Sequence, residues 1–136
     1  LFAILLTKKK VVLKNLIHIG PYCLLNSGGG EIKMENYSGL STGVKIYTSL
    51  EDMSGRSFFG PHNKKKTNIN SGTIKISKYS VIGANTVILP KSVISEGCVV
   101  GANCVVNEKL KSWAIYSNNN LKLIMARSKN VKKLLK

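Results

Sequence analysis

At 136 residues with 43% hydrophobic content, the chain has the size of one domain with a modest core, and disorder is excluded. Lys and Arg number 21 against 6 acids, a formal charge of +15, so the surface should attract nucleotide phosphates, acidic glycans, nucleic acid or anionic lipid. The opening LFAILLTKKK has six apolar residues before its lysines, far short of the roughly 20 needed to span a bilayer, and the expectation is a soluble protein with no membrane span.

In chain order, Leu13, Ile19 and Leu25 recur six residues apart, and Met34, Leu40 and Ile46 repeat that spacing after the glycine-rich insertion NSGGGEI. From Ile76 the beat runs unbroken through Ile82, Ile88, Ile94 and Val100 to Val106, with a second aliphatic just before each from Val81 on. A helix repeats its apolar face about every 3.6 residues and a strand about every 2, so a six-residue beat fits neither. It predicts an all-β fold, a parallel β-helix in which each hexad makes one short strand and a turn and three hexads close a triangular coil. First-position aliphatics then face the axis, where stacked coils bury them as ladders. The fifth position, near the corner, takes small residues at Thr86, Ser92, Cys98 and Cys104, and Leu110 breaks the rule where the regular coil ends.

Residues 47–75 lose the phase and carry Gly, Pro, Asn and a lysine triplet. Loops beyond about 12–15 residues in a compact domain are usually functional or disordered, so chemistry is expected in this excursion. It holds His62 and the adjacent acids Glu51 and Asp52, two of only six in the chain. A carboxylate whose pKa is raised by burial can act as a general base. Cys23, Cys98 and Cys104 all fall on fifth positions and read as packing residues, with no Cys/His cluster at metal-ligand spacing. No metal and a reducing, cytoplasmic compartment are the simpler expectations.

The coil is expected to occupy residues 1–117 and a basic segment 118–136. From Lys109 onward there are eight basic residues and no acid, read as a solvated tail or a short helix with Leu134 and Leu135 packed back. Nucleic acid fits the charge but not the composition: aromatics are 7% and no stacking cluster interleaves the lysines.

The stretch IGANTVILPKSVISEGCVVGANCVV, followed by NEKLKSWAIYSNNNLKLI, resembles the C-terminal signature of the left-handed β-helix, hexapeptide-repeat acyltransferases, in the branch with maltose, galactoside and surface-polysaccharide O-acetyltransferases. The resemblance spans roughly residues 15–127 and is strongest over 74–116. It implies a left-handed coil and a homotrimer. Acetyl-CoA, as co-substrate, would lie in the groove between subunits, with a saccharide or nucleotide-sugar acceptor at the same interface. Carried across by position, it implies Ala84 and Ala102 in turns beside the pantetheine arm, and Lys122 and Arg127 near the CoA phosphates. The tail SNNNLKLIMAR lacks the glycine and proline of the family's motif there. Asn26 matches an asparagine that positions substrate.

The family's base is a histidine soon after the strand matching GVKIYT, and Glu51 stands at that place. The proton acceptor then falls to Glu51, Asp52 or His62. A carbonic-anhydrase reading of the same fold needs three metal-binding histidines, and two are present. The leading expectation is O-acetylation of a saccharide. N-acylation of an amino sugar stands beside it, because a neutral amine attacks without a base. An inactive trimer acting as a scaffold or polyanion-binding module is the third reading.

Overall fold

The computed structural model describes residues 3–56, 68–118 and 120–135, and among them strands wind into five stacked triangular coils. The first coil comprises β1 (Ile4–Leu6), β2 (Val11–Leu13) and β3 (His18–Ile19). The second comprises β4 (Leu24–Asn26), β5 (Ile32–Met34) and β6 (Gly39–Leu40). The third runs from β7 (Lys45–Tyr47) through an antiparallel pair, β8 (Ser49–Glu51) and β9 (Ile69–Ser71), to β10 (Ile74–Ile76) and β11 (Val81–Ile82). The fourth is β12 (Val87–Ile88), β13 (Val93–Ile94) and β14 (Val99–Val100), and the fifth β15 (Val105–Val106), β16 (Lys109–Leu110) and β17 (Ala114–Ser117). Each coil gives one strand to each of three parallel sheets: β1-β4-β7-β12-β15, β2-β5-β10-β13-β16, and β3-β6-β11-β14-β17. These are the first, second and third faces of a left-handed prism.

The hexad beat reads out as burial. Leu25, Met34, Leu40, Ile46, Ile76, Ile82, Ile88, Ile94 and Val106 are 0% exposed, and in-register pairing stacks them as ladders, Met34–Ile76–Ile94 among them. In the first coil, which has a neighbour on one side only, Leu13 remains 42% exposed. The small fifth positions turn inward at the corners, where buried hydroxyls tie one coil to the next. Thr86 Oγ1 donates to the Gly101 carbonyl at 2.8 Å and Ser92 Oγ to that of Val106 at 3.0 Å. Every buried side-chain polar atom among the described residues has a partner.

Two expectations are corrected. Leu110 is not a misfit fifth position. The last coil is shorter by two residues, so Leu110 pairs with Ile94 and takes the inward place, 1% exposed. The tail is also not primarily helical. β18 (Lys122–Ala126) folds back antiparallel on β17, so the hairpin turn straddles the expected boundary at 117/118, and only a 3-10 turn over Asn130–Leu135 follows. Burial of Tyr116 and Leu121 explains this return, since both cover the end of the core.

The coil bends by placing the fourth residue of many hexads in the left-handed region, with φ 60° at Tyr37, 61° at Tyr79, 56° at Asn85 and Asn103, and 70° at Lys91. For a residue bearing a Cβ this costs about 1–2 kcal/mol, and at the corner between the second and third faces, side-chain stacking offsets it. Tyr37 and Tyr79 stack with ring centroids 5.3 Å apart, and Trp113 reaches Tyr79 at 6.1 Å. Trp113 crosses a gap left by Gly97, where a Cβ would lie 2.5 Å from the indole and φ is +67°. Gly97→Ala should therefore lose about 2–4 kcal/mol, read as a lower denaturant midpoint at unchanged slope.

Candidate active site

The three corners differ in chemistry. Between the first and second faces lie the glycine insertion, the excursion and a cleft of about 600 Å³ lined by Leu6, Lys8, Asn26, Gly28, Gly29, Ser49, Ile69 and Ser71. Its floor is organised by Thr48, 0% exposed. The Thr48 hydroxyl accepts the amides of Gly29 and Gly30 at 3.1 Å each and donates to the Asn26 carbonyl at 3.0 Å. Gly29 has no room for a side chain, because a Cβ would lie 2.6 Å from that of Ser49 and 2.7 Å from that of Ser71. The glycine run is thus the sequence signature of a close approach between this loop and the base of the excursion. Thr48→Val leaves two amides without their acceptor and should cost about 2–4 kcal/mol in a denaturant titration while the coil persists.

Asn26 lines the cleft, with its Oδ1 accepting the Gly28 amide at 3.0 Å. Glu51 closes β8 opposite Ile69, itself on the cleft wall. Asp52 follows, its amide donating to the Asn68 carbonyl at 2.8 Å and its Oδ1 accepting the Ser54 amide at 2.9 Å. The Ser54 side chain and amide, helped by the Asn68 side chain and the Arg56 charge, hold the Asp52 carboxyl below the ordinary carboxylate value. This direction is opposite to the one that a general base raised by burial requires. His62 lies outside the described residues.

Ala84 and Ala102 sit one coil apart on the corner between the third and first faces, because Ile82 pairs with Val100. Backbones approach closely there: a Cβ on Gly83 would lie 2.5 Å from the Ala102 nitrogen, and one on Gly101 2.5 Å from Ser117 Oγ. Ser117 in turn pairs with exposed Lys122, so the small-residue strip ends at a lysine. Arg127 is elsewhere. Its Nη1 donates to the carbonyls of Tyr79 at 2.6 Å and Gly97 at 3.0 Å on the aromatic corner, and burial lowers its pKa. With Lys132, which pairs with Glu96 at 2.6 Å and lies 4.8 Å from the Trp113 ring, it fastens the tail to the coil. The Arg127 Nη1 is thus engaged on the aromatic corner, away from Ala84, Ala102 and Lys122.

All three cysteines are buried and free, and burial pushes the Cys98 thiol up to about 12, so none is an activated nucleophile. Among the described residues, no three His, Cys, Asp or Glu converge on a metal position.

Residues 73–108 match the model of the bacterial transferase hexapeptide, six repeats. The chain is 34% identical over 119 residues to the dTDP-4-amino-4,6-dideoxy-D-glucose acyltransferase of Escherichia coli, covering 87% of itself and 62% of that protein. Over 98% of its length it superimposes on 72% of a point mutant of AntD, an N-acyltransferase from Bacillus cereus in complex with dTDP and coenzyme A, with a TM-score of 0.93 and 32% identity. It belongs to the hexapeptide-repeat acyltransferase family. A maltose O-acetyltransferase from Clostridium difficile 630 shares the fold at a TM-score of 0.69 and 18% identity, with 90% of this chain and 68% of that one covered.

Within this hexapeptide-repeat frame, sequence reasoning missed Lys8, Thr48, Ser49 and Ser71. All four lie outside the hexad phase, and nothing local shows that the TKKK turn, the glycine run and the excursion stack on one corner. The one local signal available is the glycine run itself, since adjacent residues without side chains permit a tight approach. The structure gathers Asn26, Glu51 and Asp52 on one corner and Ala84, Ala102 and Lys122 on another, with the first face between them.

Proposed function

We propose that the protein transfers an acyl group from acyl-CoA to the amino group of a nucleotide-linked amino sugar, a dTDP-4-amino-4,6-dideoxyhexose. The observation that carries this is the likeness over 98% of the chain to an N-acyltransferase, at a TM-score of 0.93. A sugar hydroxyl needs a base to remove its proton during attack, and the carboxylate at the base of the excursion, Asp52, already accepts the Ser54 amide at 2.9 Å, an arrangement that suits holding a substrate amine better than abstracting a proton. An amine needs none, and an ionised carboxylate suits the task of holding it. The likeness to N-acyltransferases at 32–34% identity, against 18% for the O-acetyltransferase, supports the same choice.

The amine nitrogen attacks the thioester carbonyl, the C–N bond forms, the C–S bond breaks, and the departing CoA thiolate takes up the proton released by nitrogen. Asp52 holds the amine, Asn26 the sugar, Ala84 and Ala102 allow the pantetheine arm to lie against the backbone, and Lys122 attracts the CoA phosphates as a point charge. Acceptor and cofactor residues occupy different corners of one chain, so the complete site forms where the acceptor corner of one copy meets the cofactor corner of the next. A closed trimer achieves this three times. Both substrates place the reaction in the cytoplasm.

Release of CoA is measured with acetyl-CoA and each of dTDP-4-amino-4,6-dideoxyglucose, dTDP-glucose and maltose. Turnover of the amino sugar alone is expected, by a trimer in light scattering. Faster turnover of either hydroxyl acceptor overturns N-acylation in favour of O-acetylation, and neither CoA release nor acetyl-CoA binding leaves the scaffold reading.

A further inference from the structure

The outward residues separate the three faces by chemistry. In one register row the first face presents Ile4, Leu24, Lys45, Val87 and Val105, and Lys45 turns its ammonium back to the Gly43 carbonyl at 3.1 Å. The third presents His18, Gly39, Val81, Val99 and Ile115. The second presents Val12, Lys33, Lys75, Val93 and Lys109, so three exposed lysines share one straight row. Lys33 and Lys75 stand on adjacent rungs, about 4.8 Å apart along the prism. Glu31 pairs with Lys33 at 2.7 Å and Glu35 with Lys75 at 3.2 Å, yet each lysine side chain stays 47% exposed. The turns bordering this face add Lys10, Lys14, Lys78, Lys91 and Lys111, against Glu108 and Glu96, the latter paired with Lys132, with Glu51 and Asp52 at the base of the excursion.

We propose that the second face docks the protein on an anionic lipid bilayer. A parallel sheet face is flat and rigid, and its lysines are point charges on long stems that reach a planar array of headgroups without demanding a particular geometry. Nucleic acid is less well served, since the row offers valines between its lysines, and the rings on the bordering corner, Tyr37, Tyr79 and Trp113, stack on one another under Lys129 and Lys132. A second copy is disfavoured by like charge, whereas the largely apolar first and third faces suit contact between copies. The protein is held at the surface by charge, and no helix among the described residues is long and apolar enough to cross a membrane. The proposal does not depend on the acyl-transfer reading.

The full chain is sedimented with vesicles of equimolar phosphatidylcholine and phosphatidylglycerol, and with vesicles of phosphatidylcholine alone. Binding to the anionic vesicles only is expected, abolished at about 0.5 M salt. Changing Lys33, Lys75 and Lys109 together to Gln should weaken it by roughly ten- to a hundredfold. The same three positions changed to Arg should keep it, and Lys109→Gln alone, which disturbs no recorded ion pair, should show a few-fold loss if the triple variant misfolds. Equal binding to neutral vesicles, unchanged binding by the Gln variants, or an equal loss on changing Lys129, Lys132 and Lys133 to Gln would overturn the proposal. So would tighter binding to a DNA oligonucleotide than to the anionic vesicles.

Discussion

Ile94→Asp is expected to leave no folded protein. Ile94 is 0% exposed, between Ile76 on one rung and Leu110 on the next, so the new carboxylate would sit among aliphatics with no partner. Burying an unpaired charge in this way costs more than about 5 kcal/mol, comparable with the whole stability of a small domain. Stacking makes the loss general, because each coil is stable only against its neighbours. Lys91→Gly is the contrasting change: Lys91 adopts φ 70° at an exposed turn, a conformation glycine takes without strain, and its effect should stay within about 1 kcal/mol. Circular dichroism and thermal melts compare the two, and equal melting temperatures would show that the inward register is wrong.

Asp52→Asn is expected to lower kcat/KM for the amino sugar by about 10²-fold, because the neutral amide still fills the space but no longer attracts the amine. Its pH profile separates this role from general-base catalysis. The Asp52 carboxyl lies below its ordinary value, so its ionised contribution is fully present above the usual carboxylate range and lost only as pH falls through the lowered value. The rise of rate toward alkaline pH then belongs to deprotonation of the acceptor amine, near pH 8 for an amine of this kind. That limb should persist in Asp52→Asn, and His62→Ala should retain activity. A limb that moves or vanishes with Asp52, or loss of turnover in the His62 variant instead, would return proton abstraction to the protein.

The excursion shows where reading by sequence ends. The stretch from Ile76 to Val106 was legible residue by residue, since each hexad is a local unit whose neighbour lies three hexads on, and burial at Ile82, Ile88, Ile94 and Val106 follows from counting by six. Across the excursion the 18-residue spacing of paired rungs, as between Ile82 and Val100, fails. Leu40 pairs with Ile82 and Ile46 with Ile88, intervals of 42 residues that no local period announces, and the last coil shortens by two so that Leu110 turns inward.

By itself, then, the sequence determined the coil, its inward ladders and its small corner positions, because a repeated hexad carries its own register and burying aliphatics in stacked rungs is the one arrangement that satisfies it. Only the tertiary structure decided the corners. Lys8, Asn26 and Ser71 come to line one cleft from three successive coils, the Asp52 carboxyl is held below its ordinary value by Ser54, Asn68 and Arg56 from both arms of the excursion, and the Arg127 Nη1 donates to the carbonyls of Tyr79 and Gly97. Each of these depends on contacts between segments far apart in the chain, where charge and hydrogen-bond geometry, not hydrophobic period, choose the partner.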